Sequence, residues 1–386
     1  MKRMVKVIVL LGLIFFLVQC GRKIKLPTSL SVSGDKSLDT TYVQIWPEWT
    51  EAGELSFESP EDIYVGYDTY LYIADTGNDR IVKMDRRGEF ITQYAVPHPI
   101  SVTQDPLLRL AVVSGDHKIY LKDILDEKPF YQVFAFEAQM DTLVFVVDST
   151  FVIDSTFYPD SLDTILVGAD TLEVVVDTIN TSIKAIAAFP IPADEYLFFT
   201  CDQTSHSVVR PGGEKHQRDQ ISKFVPEFED TLLVFSYGDA AVEKGGDLGN
   251  TISPSGIFTY PYKGYFRIAF TQGYTPHGAQ ILNGMSYRPV ISRTDSTELY
   301  FPGIFGLAED VTVDEFDNIY VVDVSRHSVL KFDSNGRLLL KFGTFGSGNK
   351  EFNRPQGIAY YNKTLYVADT KNNRILRFKL STDIRK

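Results

Sequence analysis

The sequence predicts an all-β fold in which about six four-stranded sheets close into a ring, a six-bladed β-propeller. Three observations carry this prediction. Ala368-Asp369-Thr370-Lys371-Asn372-Asn373-Arg374-Ile375 nearly restates Ala74-Asp75-Thr76-Gly77-Asn78-Asp79-Arg80-Ile81, so one supersecondary unit recurs along the chain. Short runs of β-branched and aromatic residues alternate with turn residues throughout, and no amphipathic helical period competes with them. A single sheet of this kind cannot bury both faces alone. Stacked radially, each covers its neighbour, and closure of the ring leaves only short edges exposed.

The units follow in order. In the first, Asp62 to Val65, Tyr70 to Ala74, Ile81 to Met84 and Phe90 to Tyr94 read as four strands. The second starts at Pro99 and keeps Leu110 to Val113, then a shortened turn at Gly115-Asp116-His117. The third is placed at Ile183 to Arg210, with Phe199 to Asp202 and Ser205 to Val208 as successive strands around a corner. The fourth, Ser255 to about Ser292, is degraded, with Phe266 to Thr271 as its second strand. The fifth carries Ile319 to Asp323, and the sixth ends after its third strand, Ile375 to Leu380. The missing fourth strand is expected from Thr41 to Trp46, because Val43 to Pro60 resembles Leu340 to Pro355. Residues 139–182 restate Asp-Ser/Thr between β-branched runs and read as a β-hairpin insertion, with a seventh blade as the alternative. Pro211 to Asp230 reads as a polar loop.

The chain has 386 residues, of which 44% are hydrophobic, enough for a sizeable core. Residues 1–20 read as a signal peptide, with Lys2, Arg3 and Lys6 ahead of the apolar run Val7 to Val18. That run is too short to span a bilayer as a helix. Leu17-Val18-Gln19-Cys20 resembles a bacterial lipobox, although Gln19 stands where a small residue is usual. The resemblance implies lipidation at Cys20 and an exported outer-membrane or periplasm-facing lipoprotein, held to the membrane through its lipid. Residues 21–41 are then a flexible tether to a propeller over 42–382. Loss of residues 1–19 shifts the formal net charge from −12 to about −15, which disfavours nucleic acid as a partner. With only Cys201 remaining, no intramolecular disulfide is available, and a buried inert thiol is expected there.

The Pro-led first strands and the Ala-Asp-Thr-x-Asn-x-Arg-Ile corner resemble the NHL-repeat β-propellers and the six-bladed propeller lipoproteins of Bacteroidetes-type bacteria. The resemblance covers about residues 42–380 and is sharpest in the first, fifth and sixth units. It implies a monomeric propeller that binds an envelope protein, a peptide or a glycan. Relatives of this fold also include zinc-dependent amidating lyases and calcium-dependent lactonases with axial metal sites.

The repeated aspartates Asp75, Asp202, Asp323 and Asp369 fall where a second strand turns into a third. Repetition at equivalent positions is what a structural corner predicts, with the carboxylate accepting turn amides or facing Arg80 and Arg374. His117, His206 and His327 occupy the turn position of Asp79 and Asn373, and His277 is a further candidate for it. His98 stands apart, beside Pro99 at the start of a first strand, and His216 lies in the polar loop. No Gly-x-Ser-x-Gly elbow, phosphate loop or paired-histidine metal spacing occurs. A binding role without catalysis or cofactor is therefore expected. Corner loops and strand starts share one face, so the candidate binding residues are Asn78, Asp79, Arg80, His98, Arg326, His327, Lys371, Asn373 and Arg374. The alternative is a metal-assisted hydrolase or lyase holding Ca or Zn through His98, Glu61 and Glu309. Trp46 and Trp49 are candidates for stacking on a sugar or a partner.

Overall fold

The computed structural model describes residues 40–115, 118–125, 129–135, 139–146, 172–191, 198–206, 220–224, 226–229, 232–235, 253–273, 278–284, 292–293 and 303–384. The signal peptide with Cys20, nearly all of the tether, and His117, His216 and His277 lie outside these residues.

Six antiparallel four-stranded sheets account for most of the strands. The first strands of the blades are Pro60–Val65, Pro99–Gln104, Leu172–Ala188, Pro254–Tyr262, Ala308–Val313 and Gly357–Tyr361. Each touches the first strand of the blade before and after it, and the sixth returns to the first. These six strands therefore line the axis of a closed ring, numbered here as blades 1 to 6. In blade 1 the strands Pro60–Val65, Leu71–Asp75, Arg80–Met84 and Phe90–Ala95 pair in sequence order, as the alternation of apolar runs and turns predicts.

Hydrophobic burial holds the ring together from between the blades. One apolar cluster fills each of the six interfaces: Tyr72, Ala74 and Ile81 meet Val102, Leu110 and Val112 between blades 1 and 2. Equivalent clusters lie between every following pair, including blades 6 and 1. Second strands such as Leu71–Asp75 and Ile319–Asp323 are buried at every residue because a neighbouring blade covers each face. This is why they read as unbroken apolar runs rather than alternating ones. Cys201 belongs to the cluster between blades 3 and 4, a fully buried thiol that donates to Gly256 O.

The ring is closed by its two ends. Tyr42–Trp49 pairs antiparallel with Arg374–Leu380, from Tyr42 opposite Leu380 to Trp49 opposite Ile375, and supplies the outer strand of blade 6. Tyr42 stacks on Phe342 of blade 5 with ring centroids 4.9 Å apart. Its hydroxyl donates to Tyr320, which in turn donates to Asp314. Trp49 is 7% exposed in the interface between blades 6 and 1 and lies beneath the Arg377 guanidinium, so it is core and offers no stacking surface. Trp46 is exposed.

Blade 3 departs from the predicted pattern. The corner expected after Cys201-Asp202 is absent, because Phe198–His206 runs as one continuous strand and the next strand is Gln220–Phe224. Asp202 is therefore no corner aspartate and His206 no turn residue. The expected polar loop Pro211 to Asp230 contains that strand and another, Pro226–Glu229. The cause is the 17-residue first strand Leu172–Ala188, far longer than its counterparts, which gives Phe198–His206 a partner well past the usual corner. The N-terminal half of this long strand also pairs with Gln139–Val146, from Val146 opposite Leu172 to Gln139 opposite Ile179. The insertion is thus a hairpin arm continuous with blade 3; residues 147–171 lie outside the described part.

Candidate functional site

The corners come first, because they decide which polar residues are already engaged. Asp75 accepts hydrogen bonds from Glu58 N, Asn78 Nδ2 and Arg80 Nε, the last at 2.6 Å. Asp369 does the same with Asn353 N, Asn372 Nδ2 and Arg374 Nε. Both pairs are buried, with Arg80 and Arg374 each 3% exposed, which removes these two arginines from the expected binding face. Burial pushes the Asp369 carboxyl up, opposed by these donors. Asp323 binds Gly306 N, Leu307 N and Arg326 N, while the Arg326 guanidinium caps the carbonyls of Gly303 and Ile304.

The next corner residue adopts the left-handed conformation: Asp79, His327 and Asn373 have φ of 51°, 51° and 52°. Each uses its side chain to tie one blade to the next. Asp79 accepts from His98 N, His327 Nδ1 from Arg354 N, and Asn373 from Ser59 N. Thr76 and Thr370 donate across the same seams to Pro99 O and Pro60 O. The acceptor chemistry of Asp, Asn and neutral His is what the position requires, which explains why these three types interchange there. Asn78, Asp79, His327 and Asn373 are accordingly structural staples. Lys371 and His98 remain exposed.

The antiparallel register slips in five of the six first strands, directly after the opening residue in blades 1, 2, 4 and 5 and well inside the long strand in blade 3, between Pro60 and Asp62, Pro99 and Ser101, Ile183 and Ala185, Pro254 and Ile257, and Ala308 and Asp310. Such a bulge leaves one residue outside the ladder and re-aims its side chain. The residues so placed are Glu61, Ile100, Lys184, Ser255 and Glu309, with Gln356 at the matching place in blade 6. All six line one cavity of about 300 Å³ at the mouth of the axis, together with His98, Asp62, Asp310 and Ser101. A narrower chamber of about 50 Å³ continues along the axis, sharing Asp62, Asp310 and Ser101.

Two layers of carboxylates therefore converge here and do different work. Asp62 accepts from Ile63 N and from Val102 N of blade 2; Asp310 accepts from Val311 N and from Ile358 N of blade 6. Each oxygen of both groups thus holds a backbone amide, and both side chains bridge blades. Burial pushes Asp62 up to about 6 against those amides. Asp310 also rises, through burial and then through the charge of Asp62. The blades approach most closely at this layer: a Cβ on Gly357 would lie 2.7 Å from Asp62 Cα, and one on Gly256 2.6 Å from Asp310 Cα.

The outer layer is free of such duties. Among the described residues, the side chains of Glu61, Lys184, Glu309 and Gln356 have no hydrogen-bond partner. Burial raises Glu61, offset by His98, Lys371 and Lys184. Burial also raises Glu309, reinforced by the charge of Glu61 and opposed by Lys184 and Arg354. Around the ring, Glu309, Gln356 and Glu61 come from the adjacent blades 5, 6 and 1, and Lys184 comes from blade 3 opposite. The mouth is therefore mixed in charge, with Glu61 and Glu309 on one side close to His98, Lys371 and Arg354, and Lys184 on the other.

His98, Glu61 and Glu309, the residues of the expected metal alternative, do share this cavity. Among the described residues, however, no three His, Cys, Asp or Glu side chains converge on one ion position, so the set does not fit Ca or Zn. Lys184, Gln356, Ile100 and Ser255 were not singled out in the sequence. Ile100 and Ser255 directly follow the residue that opens a first strand, whereas Lys184 lies inside a long strand and Gln356 just before one, so they share a place only once the blades are superposed.

One stretch of the sequence matches a family whose description agrees with the architecture. The profile of a family described as a 6-bladed beta-propeller matches residues 308–385. NHL repeat-containing protein 2 of Gallus gallus is 36% identical over 94 residues, 22% of this chain. The human protein of that name is 34% identical over 93 residues. The chain spans 12% of the length of either relative. Among solved structures, a gluconolactonase from Xanthomonas campestris superposes with a TM-score of 0.49 at 12% identity, covering 89% of this chain and 90% of that one. A streptogramin B lyase superposes with a TM-score of 0.45 at 11% identity, covering 88% and 98%. The chain is a β-propeller that over part of its length is similar to NHL-repeat proteins.

Proposed function

We propose that this protein is an envelope-anchored binding propeller, tethered through a lipidated Cys20, whose axial mouth takes a small polar ligand or peptide end that bears an ammonium group. The supporting observation is the outer layer of the mouth, where Glu61 and Glu309 lie across from Lys184 with no hydrogen-bond partner among the described residues. An ammonium seated between the two glutamates offsets the burial that raises them, and a carboxylate or carbonyl on the same ligand reaches Lys184. The inner aspartates are held by backbone amides and serve the ring, which favours recognition over acid–base turnover. The hairpin arm of blade 3 leaves the axis on the mouth side, because Leu172 to Ser182 precede the Lys184 layer in the same strand. It extends the surface available to a peptide.

Calorimetric titration with free dipeptides, and with the same peptides acetylated at the N-terminus, tests the reading. The free amine binds at least about tenfold more tightly, a charge-assisted contact being worth roughly 1.5–3 kcal/mol. Glu61→Gln with Glu309→Gln removes that preference. Equal binding of both peptide forms would sink the ammonium reading. Since both glutamates are raised, affinity for the amine falls as the pH drops and they protonate. Incorporation of labelled palmitate tests the anchor, and label that survives Cys20→Ala contradicts it.

A further inference from the structure

The basic residues around the mouth fall into two groups. Arg80, Arg374 and Arg326 are engaged at the corners, on carboxylates and carbonyls. Arg354, Lys371 and His98 are held by their backbones instead. Arg354 N donates to His327 Nδ1, Lys371 N to Asn353 O and His98 N to Asp79. Their side chains are exposed and have no hydrogen-bond partner among the described residues.

The fold does not call for a cation at any of these places. Arg354 and His98 stand before the proline that leads into a blade, where blades 1 and 4 have Ser59 and Ser253. All four share one backbone conformation, with φ of 51°, 43°, 48° and 49°. Lys371 takes the corner place held by Gly77 in blade 1, whose amide makes the matching bond to Glu58 O. The three cations nonetheless fall on successive seams. Arg354 sits at the seam of blades 5 and 6, Lys371 at that of blades 6 and 1, and His98 at that of blades 1 and 2. Inside this arc lie Glu309, Gln356 and Glu61. Arg354 acts on Glu309, and His98 and Lys371 act on Glu61. Among the described residues, however, none of the three comes within 4.0 Å of a carboxylate oxygen. They form a basic rim above a recessed acidic layer, in a chain whose net charge is −12.

From this two-tiered arrangement we infer that the mouth selects a peptide end with an acidic residue, Asp or Glu, at its first or second place. The ammonium sits between Glu61 and Glu309, and the side-chain carboxylate is held at the rim by Arg354 and Lys371. The inference rests on the ammonium reading above and names its ligand class. A guanidinium offers a carboxylate two parallel donors, and the lysine beside it adds a point charge. Because the backbone at both places is already fixed, only side-chain freedom is lost on binding. Both cations are exposed, so the contact discriminates between ligands more than it adds affinity.

The test is calorimetric titration of the full chain with the dipeptides Glu-Ala and Ala-Glu, and with Gln-Ala and Ala-Gln. All four are amidated at the C-terminus, so that a side chain carries the only carboxylate. At least one glutamyl peptide is expected to bind about threefold or more tightly than its glutaminyl counterpart, as a contact with two exposed cations allows. Arg354→Gln with Lys371→Gln should abolish that difference, while acetylation of the N-terminus still weakens binding. Both side chains are exposed, and an unchanged urea midpoint shows that the variant keeps the fold. Equal binding of glutamyl and glutaminyl peptides, with the amine preference intact, overturns the inference and leaves the ammonium reading standing. A glutamyl preference that survives both substitutions overturns the rim as its source. Loss of the amine preference in the wild type, or no binding by any of the four, overturns the ammonium reading and this inference with it.

Discussion

At the scale of single residues, two arginine–aspartate arrangements at equivalent corners, five residues apart in one and three in the other, have opposite consequences. Arg374 Nε lies 2.8 Å from Asp369, both buried, whereas Arg326 lies 3.9 Å from Asp323 with its side chain 40% exposed. Removing one member of a buried pair strands the other charge, so Asp369→Ala is expected to cost about 3–5 kcal/mol. An exposed pair of poor geometry contributes little, so Arg326→Ala should cost no more than ~1 kcal/mol. Urea unfolding of the two variants checks the contrast, and similar losses would refute it. Gly357 makes a second residue-scale case. Its missing Cβ is replaced by the backbone of the next blade, at 2.7 Å from Asp62 Cα and 2.8 Å from Glu61 O. Backbone cannot rotate away as a side chain can, so Gly357→Ala is expected to destabilise by about 1–3 kcal/mol. A neutral result in the same assay would mean that the blades are less closely apposed there.

Among the elements, the strand Tyr42–Trp49 does the most with the fewest residues. It converts an open arc of blades into a ring, and Tyr42 ties it to blade 5 through Phe342 and Tyr320 as well as to blade 6 through the ladder. Burial raises the Tyr42 hydroxyl, so it stays protonated and remains a donor across the working range. Tyr42→Phe removes one buried hydrogen bond, about 1 kcal/mol. Tyr42→Ala empties an aromatic site, about 3–5 kcal/mol, and loosens the closure. Hydrogen exchange should then accelerate along Arg374–Leu380 while Leu71–Asp75 keeps its protection. Uniform loss across all blades would show that closure is not a local unit. The long strand Leu172–Ala188 is the opposite case, an element that outgrew its blade and carried the corner of blade 3 away with it.

For the molecule as a whole, the axial carboxylates set a pH dependence. Asp62 has its ordinary value of 3.8 in the unfolded chain and about 6 in the fold. Between these values the native state binds the proton more tightly, so stability is gained as pH falls below about 6 and is lost as pH rises through it. Asp310 acts in the same direction, raised by burial and then by the charge of Asp62. Wild-type protein should therefore unfold at higher urea at pH 5.5 than at pH 7.5. Asp62→Asn should shrink that gain, by on the order of 1–3 kcal/mol at most. A variant whose gain equals the wild type's would remove Asp62 as the cause.

Repetition made the blades legible in the sequence. The strands of blades 1, 5 and 6 lie close to where their apolar runs and corner residues predict, because every blade must bury both faces and turn the same corner. The closing strand was legible for the same reason: the last blade lacks a fourth strand, and Val43 onward resembles the outer strand of blade 5. Sequence alone also marked Glu61, Glu309 and His98 as residues near the axis. It misassigned Arg80 and Arg374 to the surface, since a charged residue in a turn gives no sign that two blades will close over it. The cavity itself was decided only by the tertiary structure. Glu61, Lys184, Glu309 and Gln356 lie up to 295 positions apart, and only ring closure, with register slips in five of the six first strands, brings them to one mouth. Local periodicity determines which residues share a strand face; which strands surround the axis follows from packing blade against blade until the ends meet.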